Sequence, residues 1–95
     1  MRRRELQRNS DGFIIMSEYF NPILECLNEN GPMVYREIAD CVHLKISHNF
    51  RPEDAVKHLG NRSQNVWEHQ ISEALFTLKR QGIIRLRNDR RYEII

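Results

Sequence analysis

From Asn65 onward the chain reads NVWEHQISEALFTLKRQGIIRLRNDRRYEII, an amphipathic run that stops at a glycine and gives way to two short apolar runs around an arginine-rich turn. That order restricts the C-terminal part to a helix followed directly by a hairpin. Trp67, Ile71, Ala74, Leu75 and Leu78 recur at three- and four-residue intervals and so share one helical face. Ser63 or Asn61 supplies a side-chain oxygen for the first free amides. Lys79 and Arg80 fall in the last turn, where positive charge suits the helix dipole, and Gly82 is placed for a left-handed stop. Ile83 to Arg87 then alternates, Asn88-Asp89 favours a turn, and Tyr92-Glu93-Ile94 alternates again.

Ninety-five residues make one small domain. No stretch approaches the roughly 20 apolar residues of a membrane span, so no membrane partner is expected. The run Phe13-Ile14-Ile15 is too short for a signal-peptide core, which predicts a cytoplasmic protein. Cys26 and Cys41 form no CxxC pair and fall at apolar positions of predicted helices. They read as buried thiols in a reducing cytosol in preference to a disulfide.

The net charge of +2 hides a segregation. Arg2, Arg3, Arg4 and Arg8 crowd the N-terminus. Lys79, Arg80, Arg85, Arg87, Arg90 and Arg91 crowd the C-terminal third around Asp89, and the middle is acidic. A polyanion on one side of the fold would suit this distribution; a solvated basic hairpin is the plainer account.

Residues 1–16 read as a basic, flexible arm with a turn at Asn9-Ser10-Asp11-Gly12, leaving 17–95 as the folded domain. A first helix is predicted from about Glu18 to Glu29, with Phe20, Ile23, Leu24 and Leu27 inward and Pro22 in or near its first turn; Asn21 as the cap is the alternative boundary. Asn30-Gly31-Pro32 ends it, and Met33-Val34 offers a short strand against the C-terminal hairpin. A second helix covers about Tyr35 to Leu44, with Val34, Ile38, Cys41 and Val42 inward. Pro52-Glu53-Asp54 begins a short one ending near His58.

Helix, short strand, helix, helix and hairpin make a mainly α fold with a small β-hairpin, in the order of a winged helix-turn-helix. At Tyr35-Arg36-Glu37-Ile38-Ala39-Asp40-Cys41-Val42, the Trp67–Gly82 helix with its Leu78-Lys79-Arg80-Gln81-Gly82 end, and the hairpin, the chain resembles the N-terminal domain of Mrr-type restriction endonucleases. The resemblance covers about residues 18–95 and implies DNA binding, with cleavage belonging to a separate nuclease domain. The chain holds no Asp…Glu-x-Lys set of the kind that carries magnesium for cleavage, so no enzyme activity is expected.

On this reading the last helix, about 64–81, enters the major groove. Gln64, Asn65, Glu68, His69 and Ser72 are polar and off its core face, and amides and carboxylates of this kind can read base edges. Arg62 and Ser63 lie just before the helix, within reach of phosphates. In the wing, Arg85, Arg87, Arg90 and Arg91 would meet phosphates or a narrow minor groove, unless they merely keep an edge strand from aggregating. Arg2, Arg3 and Arg4 would reach a neighbouring groove as an arm, or form a tail.

His43, His48, His58 and His69 match no zinc spacing, so neither metal nor cofactor is expected. Trp67 reads as a core anchor. Phe76 lies off the apolar face, either buried against the Pro52–His58 segment or part of a self-association surface. The expected partner is double-stranded DNA, bound by a monomer or by a weak homodimer formed through the first helix with Tyr19 or through Phe76, unless both residues are simply core. A protein partner, with the chain as adaptor or inhibitor of a nucleic-acid enzyme, is the alternative.

Overall fold

The computed structural model describes residues 5–56 and 64–95. It is mainly helical, with a small three-stranded antiparallel sheet. A 3-10 turn at Met16–Tyr19 runs into α1 (Phe20–Asn30). Then come β1 (Met33–Val34), α2 (Tyr35–Ile46), α3 (Val66–Arg80), β2 (Ile84–Leu86) and β3 (Arg91–Ile94).

Local chemistry sets these boundaries. Pro22 is the third residue of α1, where a helix has no intrahelical partner for the amide that proline lacks. Gly31 ends α1 at φ 76°, donating its N–H to the Leu27 carbonyl at 2.8 Å. The N–H of Val34, just before α2, donates to the Glu37 carboxylate at 3.1 Å, and that of Asn65, before α3, to the Glu68 carboxylate at 3.1 Å. α3 therefore starts at Val66, and the cap expected from Ser63 or Asn61 lies outside the described residues. At its other end, Gly82 takes φ 75° and lets Ile83 N–H return to the Leu78 carbonyl at 3.1 Å.

The expected pairing of Met33-Val34 with the hairpin is present. The strand order is β1-β3-β2, with Met33 opposite Tyr92 and Val34 opposite Arg91. β2 pairs with β3 as Ile84 with Ile94, Arg85 with Glu93 and Leu86 with Tyr92. The core lies between the three helices and the sheet. Ile23, Ile38, Val42, Ile71, Ala74, Leu78 and Ile84 are fully or almost fully buried there. Trp67 anchors its edge, its ring centroid 5.1 Å from that of His43 and 5.6 Å from that of Phe50.

Four expectations need correction. Residues 5–16 are part of the fold, not a flexible arm. The Asn9–Gly12 turn is formed, Arg8 bridges to Ile14, and Ile14 is fully buried. Gln70 Nε2 on α3 donates to the Ile14 carbonyl at 3.1 Å. The run Phe13-Ile14-Ile15, too short for a signal-peptide core, instead supplies Ile14 to the core.

Second, Pro52-Glu53-Asp54 begins only a 3-10 turn, Pro52–Ala55; the predicted continuation to His58 lies outside the described residues. Third, Tyr19 is fully buried, which removes it as a surface for self-association, whereas Phe76 is 54 % exposed. Fourth, Cys26 and Cys41 are joined as a disulfide, with Cα atoms 6.2 Å apart, well within the usual span. Packing of α1 on α2 brings together two residues that show no sequence motif, and only Cys26 is fully buried.

Candidate nucleic-acid interface

The hairpin turn is built by its own side chains. Arg87 N–H donates to the Arg91 carbonyl at 2.8 Å, Arg91 N–H to Asp89 Oδ1 at 3.1 Å, and Arg90 takes φ 65° at the tip. Asn88 and Asp89 occupy the turn as their residue types suggest.

The four hairpin arginines divide into two classes. Arg85 Nε contacts Glu93 Oε2, and Arg87 Nη1 lies 3.4 Å from Glu93 Oε1 and its Nη2 3.0 Å from Asp89 Oδ2. Glu93 is the overlooked acid. It stands opposite Arg85 in the register and is only 18 % exposed, so it holds both strand arginines. Counting charge around Asp89 alone missed it; pairing the two strands residue by residue would have found it. Arg90 and Arg91 are exposed and have no acidic partner among the described residues.

Beside the tip is an open hollow of about 410 Å³, lined by Val34, Tyr35, Leu86, Arg90 and Tyr92. It joins the hairpin to the start of α2. Burial raises the Tyr35 phenol above the ordinary tyrosine range, so its hydroxyl stays protonated and donates to the Glu68 carbonyl at 3.0 Å.

The polar residues at the start of α3 are brought together, but largely toward one another. Gln64 Nε2 lies 3.1 Å from both the Tyr35 hydroxyl and Ser72 Oγ. Ser72 Oγ also reaches the Glu68 carbonyl at 3.3 Å. Glu68 caps Asn65 N–H and meets Arg36 at 3.4 Å, while Arg36 also meets Asp40 at 3.3 Å. His69 Nε2 lies 3.2 Å from Glu73 Oε1. Gln64 and Asn65 precede the helix instead of opening it. The sequence pattern placed these residues off the core face; in the structure Glu68, His69 and Ser72 are half-buried, and the pattern gave no sign of Tyr35 and Arg36 across from them.

Arg62, Ser63, Arg2, Arg3 and Arg4 lie outside the described residues. Further along α3, Lys79 and Arg80 are exposed and have no acidic partner among the described residues. Among those residues no helix is long and apolar enough to cross a membrane, and no group of three or more His, Cys, Asp or Glu side chains could hold a metal ion. Comparison with protein-family models, with curated proteins and with solved structures finds no match for the chain.

Proposed function

We propose that the chain is a winged helix-turn-helix module that binds double-stranded DNA, as its resemblance to the N-terminal domain of Mrr-type restriction endonucleases implies. The β2–β3 hairpin is the wing and α3 the helix that faces the major groove. The observation that carries the reading is the division of the wing arginines. Arg90 and Arg91 project from the tip with no acid to neutralise them, while Arg85 and Arg87 are spent on Glu93 and Asp89. Unpaired arginines on a turn are suited to phosphate, which they meet as a planar fork. Lys79 and Arg80 add positive charge on the same C-terminal third.

Base reading is weak in this account. Gln64, Glu68 and Ser72 already have partners within the protein, and breaking those contacts offsets what a base edge would return. The module therefore binds duplex DNA with little sequence preference. Binding to random-sequence duplex across a salt series tests this. Release of about four phosphate counterions gives a log–log slope near −3.6, at about −0.9 each. No measurable affinity at low salt would end the proposal.

The second reading, a protein partner, draws on a single observation: the large aromatic Phe76 stands exposed on α3, where a DNA reader is expected to be polar.

A further inference from the structure

The outward face of α3 carries His69, Glu73, Phe76 and Arg80, spaced at intervals of three and four residues. Phe76 is 54 % exposed at its centre, and the Arg80 guanidinium lies 5.7 Å from the Phe76 ring centroid. Glu73, on the other side of Phe76, is exposed and lies 3.2 Å from His69 Nε2. An acid, an aromatic ring and a base thus follow one another along a solvent-facing stripe.

We propose that this face binds a second copy of the same chain, α3 against α3 in antiparallel orientation. The occupant follows from the order of the charges. An antiparallel mate related by a two-fold axis beside Phe76 sets Glu73 of each copy against Arg80 of the other and places the two rings together at the axis. Such an interface is isologous, so both ion pairs form at once. A uniformly acidic surface would oppose Glu73, and a uniformly basic one would oppose Arg80. A surface bearing the two charges in reversed order matches both, and this helix supplies it. The patch is small, which makes the dimer weak and dependent on concentration. The inference does not rest on DNA binding; if both hold, the two partners compete for α3.

Sedimentation of the full chain from micromolar to millimolar concentration tests it. The parent protein should pass reversibly from monomer to dimer, and Phe76→Ser should remain monomeric. Glu73→Arg and Arg80→Glu should each stay monomeric, because each sets like charges together twice. An equimolar mixture of these two variants should dimerise, because both cross-pairs are then opposite in sign. All three positions are exposed, and the circular dichroism spectrum of each variant should match that of the parent. A parent that stays monomeric at millimolar concentration would overturn the proposal. So would a dimer that survives Phe76→Ser, or a mixture that stays monomeric while the parent dimerises.

Discussion

Tyr19 is fully buried, and its hydroxyl meets no hydrogen-bond partner among the described residues. Burial pushes its ionisation above the ordinary tyrosine range; Asp54 adds to the rise and Arg8 opposes it. The phenol is neutral when protonated, so the unfolded chain gives up this proton first as pH climbs. The contribution is complete below about pH 10, the unfolded value, and is lost as pH rises beyond it. Tyr19→Phe keeps the ring and removes the unmatched hydroxyl. It should leave the melting temperature at neutral pH equal or higher and flatten the alkaline limb of the stability profile. A loss of more than about 1 kcal/mol at neutral pH would mean that the hydroxyl has a partner. The sequence left Tyr19 open between a self-association surface and the core, and gave no sign of its unmatched hydroxyl. Trp67 was legible, because periodicity alone placed it on the core face. The hairpin arginines were legible as charge but not as two classes, since Glu93 acts through strand register.

The helices and hairpin were legible as elements because each repeats a local pattern: apolar spacing, a stop at glycine, alternation around a turn. The ordered N-terminal segment, residues 5–16, was not, because a non-local contact holds it. Arg8 donates to the carbonyls of Gly12 and Asn49, both at 2.7 Å, and to both oxygens of Asp54 at 3.2 and 3.0 Å. Asp54 is only 1 % exposed and also accepts Arg51 N–H at 2.8 Å. A residue that read as a helix-opening acid is therefore the buried end of a clasp across the fold. Arg8→Ala leaves that carboxylate buried without its counter-charge, and urea unfolding should show a loss of roughly 3–5 kcal/mol. An unchanged midpoint would return residues 5–16 to the status of a dispensable arm.

At the scale of the whole molecule, the Cys26–Cys41 bridge ties α1 to α2 across a separation of 15 residues. Closing a loop of that length stabilises by about 3 kcal/mol, chiefly by restricting the unfolded chain. For a domain of this size that corresponds to roughly 12–24 °C in melting temperature, so a reducing agent, or Cys26→Ser with Cys41→Ser, should lower it by about that much. Identical melting with and without reductant would show that the bridge contributes nothing. The charge segregation seen in the sequence survives folding in reduced form: Arg85 and Arg87 of the hairpin are neutralised locally, and Arg90 and Arg91 have no acidic partner among the described residues. The proposed contact with DNA rests on these two. It is tested most directly by comparing the salt dependence of duplex binding for Arg90→Ala/Arg91→Ala and for Arg85→Ala/Arg87→Ala. The first pair should shallow the log–log slope by about 1.8, at about 0.9 per phosphate contact, while the second should change it far less. Equal losses from the two pairs, or an unchanged slope in the first, would contradict it.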